Sequence, residues 1–376
     1  MIGSALIGSA LIVGGGVGGM TAALCLKRAG VDVTLIDADP NWRVYGAGIS
    51  VTGISLRAFD DLGILDQIRR RGHVGAGMRG KTVAGHIVME APTPEDPQPI
   101  QQGGGIMRPV LHDILSSRVR AEGIAVRLGV KVVTLAQDVA GVNVIFDDGS
   151  AGRYDLVVGA DGIYSQIRGM IFPEAPKPQF TGQGCWRVVA KRPPEVDRAE
   201  MYFGGPVKLG INPVSADEMY MFILEHVPDN PFFAEDELVP HVRALMEPFG
   251  GAVPAVRESI TQPAQVNYRP LEWLLLPKPW HAGRVVLIGD AAHATTPHMA
   301  SGAGIAAEDG LVLAQELQRH DDVSQALHAF NERRFERARL VVENSVKIGE
   351  MEMAGDLTNN GPAMLGATMG QLQAPY

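Results

Sequence analysis

The chain has 376 residues, of which 46% are hydrophobic and 20% are charged, and its formal net charge is −9. This length is ample for a large core, and the acidic balance argues against nucleic acid or an anionic membrane as the main partner. The two cysteines, Cys25 and Cys185, show no metal-ligand spacing, so we expect no metal site; their scarcity fits a cytoplasmic protein. The sequence has no uninterrupted apolar run of about 20 residues, so we expect no membrane span.

The N-terminus contains a repeat, because residues 2–6 recur as residues 7–11, and the second copy runs into a glycine-rich turn. We expect the second copy to form the first strand. The spacing Gly14-x-Gly16-x-x-Gly19 is the dinucleotide-binding fingerprint. Its first glycine permits a tight turn, its second lets a diphosphate approach the backbone, and its third lets the helix pack close to the strand. The helix N-terminus supplies free N–H groups to the phosphates.

A second strand is predicted over residues 31–36, after a helix that ends near Gly30, and it leads into Asp37. An acid at this strand end is placed to accept both hydroxyls of an adenosine ribose. The order strand, turn, helix, strand and acid therefore predicts a nucleotide cofactor. The alternative is a glycine-rich surface turn followed by an incidental acid.

The next segments alternate between helical and extended patterns. Residues 55–70 have helical spacing with a break at Gly63, and short strands in residues 75–99 end in a proline-rich loop. A helix around residues 111–119 is then followed by strands and by a hairpin that turns at residues 147–149. We interpret residues 75–99 as an excursion out of the nucleotide-binding part.

Two later segments have the form of a buried strand followed by a polar corner. One ends in Asp161-Gly162, and the other ends in Gly289-Asp290 and leads through small residues into a helix. Between them, residues 176–270 alternate as expected for an antiparallel sheet with one face over a ligand. A long helix is predicted from Asp322, and the tail after Gly355 contains Gly, Asn and Pro and has no clear period.

The glycine loop and the two polar corners together resemble the single-component FAD-dependent aromatic monooxygenases, the family of p-hydroxybenzoate and salicylate hydroxylases. The resemblance covers roughly residues 7–350. It implies an α/β fold with a Rossmann-like FAD-binding domain, an inserted substrate domain built on an antiparallel sheet, and a long C-terminal helix. The implied boundaries are residues 1–74, 100–175 and 271–355 for the FAD-binding domain, 75–99 and 176–270 for the substrate domain, and 356–376 for a tail.

The resemblance also implies cofactor-binding roles. The ADP half of FAD would be held by Gly14, Gly16, Gly19 and Asp37, and Arg43 and Arg108 would lie near the cofactor. Asp161 would serve both FAD and the nicotinamide donor, and Asp290 would bind the ribityl chain. Pro297 would lie beside the flavin ring, and the backbone would approach that ring at Gly48, Gly289, Gly302, Ala303 and Gly304. Ala300, Ser301, Gly302 and Gly304 stand where many members have Gly-Gln-Gly and a following Asn. The contacts of that Gln and Asn are therefore absent from this chain.

In that family NAD(P)H reduces FAD, oxygen adds to form a flavin hydroperoxide, and an electron-rich ring attacks its distal oxygen. One dinucleotide fingerprint implies that NAD(P)H visits transiently, and the sequence does not choose between NADH and NADPH. The candidate catalytic residues are Arg187, Tyr220 and His298. Arg187 would hold a carboxylate, lie near the flavin, or lie on the outer face of the sheet. Tyr220 and Tyr202 would each bind an aromatic ring, relay a phenolic proton, or pack in the sheet. His298 would ionise a phenol, or be a surface or packing residue.

We therefore predict an FAD-dependent hydroxylase that uses NAD(P)H and O2 on a small aromatic or N-heteroaromatic substrate, as a monomer or homodimer. Salicylate-like, nicotinate-like and urate-like substrates all remain open. A reductase or dehydrogenase of the same fold is one alternative, and a non-catalytic FAD-binding redox sensor is another. The Trp-x-Trp-x-Ile-Pro signature of flavin-dependent halogenases is not present in the sequence.

Overall fold

The computed structural model describes residues 6–44, 46–91, 93–95, 97–355 and 360–376. The described strands are β1 (Ser9–Val13), β2 (Asp32–Asp37), β3 (Gly48–Val51), β4 (His73–Val74), β5 (Met78–Thr82), β6 (Ile87–Ala91), β7 (Gly104–Met107), β8 (Ala125–Leu128), β9 (Val132–Gln137), β10 (Val142–Phe146), β11 (Ala151–Tyr154), β12 (Leu156–Gly159), β13 (Gln179–Lys191), β14 (Ala199–Phe203), β15 (Lys208–Pro213), β16 (Glu218–His226), β17 (Val266–Trp273), β18 (His281–Ala282) and β19 (Val285–Leu287).

The described α-helices are α1 (Val17–Arg28), α2 (Gly53–Asp61), α3 (Leu65–Arg71), α4 (Arg108–Ala121), α5 (Gln166–Ile171), α6 (Glu235–Met246), α7 (Val253–Ser259), α8 (Asp290–His293), α9 (Gly302–Arg319), α10 (Val323–Met353) and α11 (Asn360–Leu372). Short 3₁₀ turns lie at Pro99–Gln101, Pro263–Gln265 and Pro297–Met299. In the described part of the chain, no helix is both long enough and apolar enough to cross a membrane.

A six-stranded sheet in the order β18-β19-β12-β1-β2-β8 forms the nucleotide-binding half of the fold. All of its pairs are parallel except β18 with β19. Val13, Gly159 and Leu287 stand side by side at the carboxyl ends of β1, β12 and β19. The three motifs of the sequence follow these strand ends, so the register brings them to one edge of the sheet. That edge is where open α/β sheets bind their ligands.

A seven-stranded sheet in the order β17-β13-β16-β15-β14-β5-β6 lies over that edge, and only its β14–β5 pair is parallel. Side chains alternate between its two faces. On one face Trp186, Val188 and Met221 belong to an apolar cluster that includes residues of α6 and α7. The other face bears the cavity described below. The alternating pattern thus predicted this sheet correctly, while the boundaries of the two domains stay predictions.

Helices α9 and α10 are joined by a buried charge network. Arg334 of α10 donates from Nε to Asp309 Oδ1 at 2.7 Å and from a terminal nitrogen to Glu308 Oε2 at 2.9 Å. All three side chains are fully buried. Arg57 and Arg337 add ion pairs to Glu308 at 3.3 and 2.7 Å. Buried charges persist only when they are paired and hydrogen-bonded, and this network meets that condition.

The tail after Gly355, which has no clear period in the sequence, contains helix α11 over residues 360–372. Gly361, Leu365, Thr368 and Leu372 recur at helical spacing on its inner side, a period that the interspersed glycines disguise. The carbonyl groups at its C-terminal end accept hydrogen bonds from Arg57 and Arg337, as basic side chains near a helix end commonly provide. Tertiary contacts therefore stabilise a helix that the glycines in its own sequence disfavour.

Candidate active site

A cavity of about 1180 Å³ lies between the two sheets. Its walls are the glycine loop after β1, strand β3, the corners after β12 and β19, residues 294–303, and the inner face of the seven-stranded sheet. Pockets for one small ligand typically measure about 300–1,000 Å³. This cavity therefore has room for more than one ligand.

The three fingerprint glycines have different surroundings. A Cβ at Gly14 would lie 2.3 Å from Ala160 O, and a Cβ at Gly19 would lie 1.9 Å from Gly14 O. A Cβ at Gly16 would meet no described atom within 4 Å, and Gly16 lines the cavity. Gly14 and Gly19 thus close the strand-to-helix turn, whereas Gly16 leaves its backbone open toward a ligand.

Asp37 lies at the end of β2 and holds the glycine loop. Its Oδ2 accepts the Gly15 N–H at 2.7 Å, and its Oδ1 accepts the Asp39 N–H at 2.8 Å. The indole of Trp42 donates to Gly15 O at 3.0 Å, a contact that the sequence did not reveal. Arg43 is exposed, forms an ion pair with Asp39 at 3.4 Å, and does not line the cavity among the described residues.

Asp161 acts as a helix cap in this structure. Its Oδ1 accepts from Ser165 Oγ at 2.5 Å, and its Oδ2 accepts the N–H groups of Gln166 and Ile167 at 2.7 and 3.1 Å. In the described part of the chain the neighbouring Gly162 lines the cavity and Asp161 does not. The carboxylate that the family resemblance assigns to FAD and the nicotinamide donor therefore stabilises the N-terminus of α5.

The Gly289-Asp290 corner is fixed from behind by Asp309 of α9. Asp309 Oδ2 accepts the Gly289 N–H at 2.8 Å and contacts His293 Nε2 at 2.6 Å. Burial opposes ionisation of Asp309, yet His293 and Arg334 hold its pKa below the ordinary value. The Asp290 side chain is exposed and opens onto the cavity.

The loop after this corner forms one end of the cavity. Pro297, Gly302 and Ala303 line it, and α9 begins at Gly302. Gly304 does not line the cavity among the described residues. It faces α2 instead, where a Cβ at this position would lie 2.7 Å from Ser55 Oγ. Gly304 thus permits the contact between two helices, while the first residues of α9 direct its N-terminus at the cavity.

Two arginines bring positive charge into the cavity. Arg108 begins α4 and Arg187 lies on β13, and both are half-buried cavity-lining residues. Neither guanidinium has a hydrogen-bond or ion-pair partner among the residues that the structure describes. Burial, and then the charge of Arg187, lower the pKa of Arg108. Such unpaired cations suit anionic groups of a bound ligand.

A hydrogen-bonded cluster, called the hydroxyl cluster below, joins β3 to the seven-stranded sheet at the cavity. Ser50 Oγ and Tyr220 OH are 2.6 Å apart, and Asn212 Nδ2 donates to them at 2.6 and 3.2 Å. One hydroxyl donates to the other, so the cluster keeps one O–H hydrogen to donate to a ligand. The Tyr220 ring also lies over Gly48, where a Cβ would come within 2.2 Å of it.

His298 lines the cavity, but both of its ring nitrogens face other protein groups. Nδ1 is 2.8 Å from Thr296 Oγ1, and Nε2 is 3.3 Å from Glu352 Oε2. Lys208 Nζ pairs with the same carboxylate at 2.5 Å. Burial lowers the pKa of His298, and Glu352 opposes that effect. His298 therefore reaches a ligand only through a neighbour.

Tyr202, the other aromatic candidate, lies outside the cavity as far as the structure describes it. Its hydroxyl is 3.3 Å from Glu200 Oε2 and its ring contacts Phe249 on the opposite face of the sheet. The sequence did not reveal Ser50 and Asn212 as site residues. Asn212 comes to the site through strand pairing, since it stands opposite Tyr220 in the register of β15 and β16, and Ser50 comes to it on β3. An alternating pattern indicates which side chains share a face of the sheet, but it does not indicate which strands pair.

Comparisons with known proteins agree with this architecture. Residues 8–345 match the family described as FAD binding domain. The chain is 31% identical over 348 residues to a putative FAD-dependent monooxygenase of Bacillus subtilis, covering 92% of this chain and 94% of that protein. It is also 31% identical over 345 residues to 2-heptyl-3-hydroxy-4(1H)-quinolone synthase of Pseudomonas aeruginosa, covering 91% and 88% of the two chains.

Two solved structures share the fold. The Klebsiella pneumoniae protein HpxO, complexed with FAD and uric acid, superposes with a TM-score of 0.84 at 22% identity, over 97% of this chain and 96% of that one. A 2-methyl-3-hydroxypyridine-5-carboxylic acid oxygenase gives 0.80 at 26% identity, over 96% and 95%. The chain therefore belongs to the FAD binding domain family and is an FAD-dependent flavoprotein hydroxylase of the single-component aromatic monooxygenases.

Proposed function

We propose that this protein hydroxylates a small aromatic or N-heteroaromatic compound at the expense of NAD(P)H and O2. The observation that carries the proposal is one cavity with two kinds of wall. Backbone from the glycine loop and the Gly289-Asp290 corner forms one wall, and Arg187 with the hydroxyl cluster of Ser50, Asn212 and Tyr220 forms the other. A cofactor and a ring compound can thus lie side by side.

The cofactor wall fits FAD. The open backbone at Gly16 and the N-terminus of α1 would take the diphosphate, and the carboxylate of Asp290 would take hydroxyl groups of the ribityl chain. The N–H groups at the start of α9, near Ala303, would stabilise negative charge on the reduced ring, with Pro297 beside it. When bound and reduced, FAD supplies the activation of O2 and the transfer of one oxygen atom.

The substrate wall favours a ring that carries an oxygen acceptor or a negative charge. The unpaired guanidinium of Arg187 suits a carboxylate or an ionised ring oxygen, and the spare hydroxyl hydrogen of the Ser50–Tyr220 pair suits a carbonyl or phenolic oxygen. Relatives named for urate, 3-hydroxybenzoate and a quinolone support this class, since each of these compounds is an oxygen-bearing ring.

The test uses the purified protein with its FAD. Uric acid, 3-hydroxybenzoate and 4(1H)-quinolone are each added with NADH or NADPH, and pyridine-nucleotide oxidation, O2 uptake and products are measured. We expect one compound to accelerate oxidation and to gain one oxygen atom that derives from O2. Accelerated oxidation without an oxygenated product would favour the reductase alternative, and a protein that takes up no FAD would refute the proposal.

A matched pair of variants tests the substrate wall. Arg187→Gln removes the unpaired cation from the cavity, whereas Lys191→Gln removes an exposed cation from the end of the same strand. We expect Arg187→Gln to raise KM for an anionic substrate at least about tenfold, equivalent to about 1.4 kcal/mol, and Lys191→Gln to leave it unchanged. Equal effects of the two variants would contradict the assigned role of Arg187.

A further inference from the structure

A second, smaller cavity of about 200 Å³ adjoins the large one. Thr296 and His298 line both cavities, so these two side chains form the partition between them. At its other end the small cavity is lined by Gln179 and Glu350, which are exposed. It therefore leads from the buried partition toward the surface of the protein.

The interior of the small cavity is polar. Gln183 Oε1 is buried and has no hydrogen-bond partner among the described residues. His298 Nε2 and Glu352 Oε2 are also buried and face each other at 3.3 Å without hydrogen-bond geometry, so neither atom is fully satisfied by the other. Gly349 makes the space, since a Cβ there would lie 2.7 Å from Gln183 Oε1 and 3.1 Å from His298 Nε2. Buried polar atoms without protein partners are ordinarily satisfied by ordered water, and this volume holds several molecules.

The charges around His298 decide which nitrogen carries its proton. The carboxylate of Glu352, on α10, faces Nε2 and is paired with Lys208 of β15, while β13 contributes the neutral Gln183. A carboxylate opposite Nε2 favours the tautomer with a proton on that nitrogen. Nδ1 is then an acceptor, and the Thr296 hydroxyl donates to it across 2.8 Å.

We propose that the small cavity is a water chamber through which protons leave and re-enter the substrate cavity, with Thr296 and His298 as the link. The inference rests on the proposed function, because the proton comes from a hydroxyl on the ring. That hydroxyl gives its proton to Thr296 Oγ1 as Thr296 passes its own proton to His298 Nδ1, and the proton on Nε2 passes to water in the chamber. The route runs backward when the ring oxygen is reprotonated, which restores the tautomer. No electrons are transferred in these steps.

His298 acts here through Thr296 and is therefore a positioning residue. The first test determines which nitrogen of the His298 imidazole carries the proton in the FAD-loaded enzyme. NMR spectra are recorded with ¹⁵N-labelled histidine, and the His298 signals are assigned as those that disappear in His298→Gln. At about pH 8 we expect a neutral His298 imidazole protonated on Nε2, with a cross-peak between that proton and water. A proton on Nδ1 instead, or a wild-type Nε2 proton that does not exchange with water, would overturn the proposal.

Filling the chamber provides the matched comparison. Gly349→Ala puts a methyl group against Gln183 and His298, whereas Gly366→Ala of α11 adds one where no described atom lies within 4 Å. We expect the water cross-peak to be lost in Gly349→Ala and kept in Gly366→Ala. Gln183→Leu keeps the volume but removes the polar partner, so it should weaken the cross-peak even if Gly349→Ala does not fold. Retention of the cross-peak in every folded chamber variant would overturn the proposal.

The catalytic test uses the ring compound that the wild-type enzyme oxygenates. Thr296→Val keeps the shape of the partition and removes its hydroxyl, so kcat should fall and lose its dependence on pH, while FAD content stays as in the wild type. An unchanged pH profile of kcat would overturn the link. If the wild type oxygenates no ring compound, the proposed function fails, and the NMR comparison still decides whether the chamber exchanges protons with His298.

Discussion

Alanine substitution at two fingerprint glycines, three residues apart, should have two different effects: one lowers stability and the other weakens FAD binding. In Gly19→Ala the new Cβ would lie 1.9 Å from the carbonyl oxygen of Gly14, where real contacts do not fall below 3.0 Å. In Gly16→Ala it would meet no described atom within 4 Å, and the backbone at φ −77° and ψ −174° suits alanine. The first change concerns the fold, and the second concerns the ligand.

The structure sets the scale of each effect. Gly19→Ala requires the turn to move by about 1.1 Å, the difference between 3.0 and 1.9 Å, and overpacking of this kind costs ~1–3 kcal/mol of a total stability of ~5–15 kcal/mol. Gly16→Ala replaces glycine at a helix N-cap, which costs up to about 1 kcal/mol. Its methyl group would separate the backbone from a diphosphate, so we expect FAD to bind at least about tenfold more weakly, a loss of about 1.4 kcal/mol.

Urea unfolding of the FAD-free protein and FAD titration followed by flavin fluorescence measure the two effects separately. Gly169→Ala of α5 serves as the control, because a Cβ there also meets no described atom within 4 Å and Gly169 does not line the cavity in the described structure. Wild-type FAD affinity in Gly16→Ala would refute the placement of the diphosphate. Equal losses of stability in Gly16→Ala and Gly19→Ala would refute the distinction drawn from their surroundings.

Three further variants separate stability from function. Arg334→Met leaves the buried carboxylates of Glu308 and Asp309 without their shared cation, so the free energy of unfolding should fall by ~3–5 kcal/mol in urea; an unchanged midpoint would contradict the network. Tyr220→Phe removes one hydroxyl from the cluster, so KM should rise while FAD content stays constant; an unchanged KM would place the substrate elsewhere. Asp290→Asn removes the carboxylate that would take hydroxyl groups of the ribityl chain, so FAD retention should weaken; retention equal to that of the wild type would contradict this role.

The sequence predicted the strands and turns of the cofactor wall because their signals are local. The tight turn at Gly14, the acid at the end of β2 and the corner at Gly289 each occupy a few consecutive residues, and each follows an apolar run that can be read as a buried strand. Parallel pairing then brings the ends of separate strands to one edge as a property of the fold class. Local pattern and general topology together were sufficient to predict that these strand ends meet, while the roles of the individual residues toward FAD stay predictions.

The substrate side could not be predicted in the same way because its contacts join distant segments. Ser50 and Tyr220 are 170 positions apart, and Glu352 meets Lys208 across 144. The sequence also did not reveal that Asp161, which the resemblance assigns to the cofactor, caps α5; its role toward the cofactor stays a prediction. Helix α11 escaped notice because its stability comes from tertiary contacts, which local propensity does not report.

The two walls consequently carry different constraints. On the cofactor wall the decisive groups are backbone atoms at Gly16 and at the start of α9, and a side chain at Gly14 or Gly19 would collide with the main chain. On the substrate wall the decisive groups are side chains that project from β13, β15 and β16, where substitution leaves strand pairing intact. One chain can therefore keep the flavin fixed while the ring that it oxygenates changes. Such a division of roles would produce relatives that differ in substrate. The relatives at 28–31% identity have names that specify a quinolone, urate or 3-hydroxybenzoate, as this division predicts.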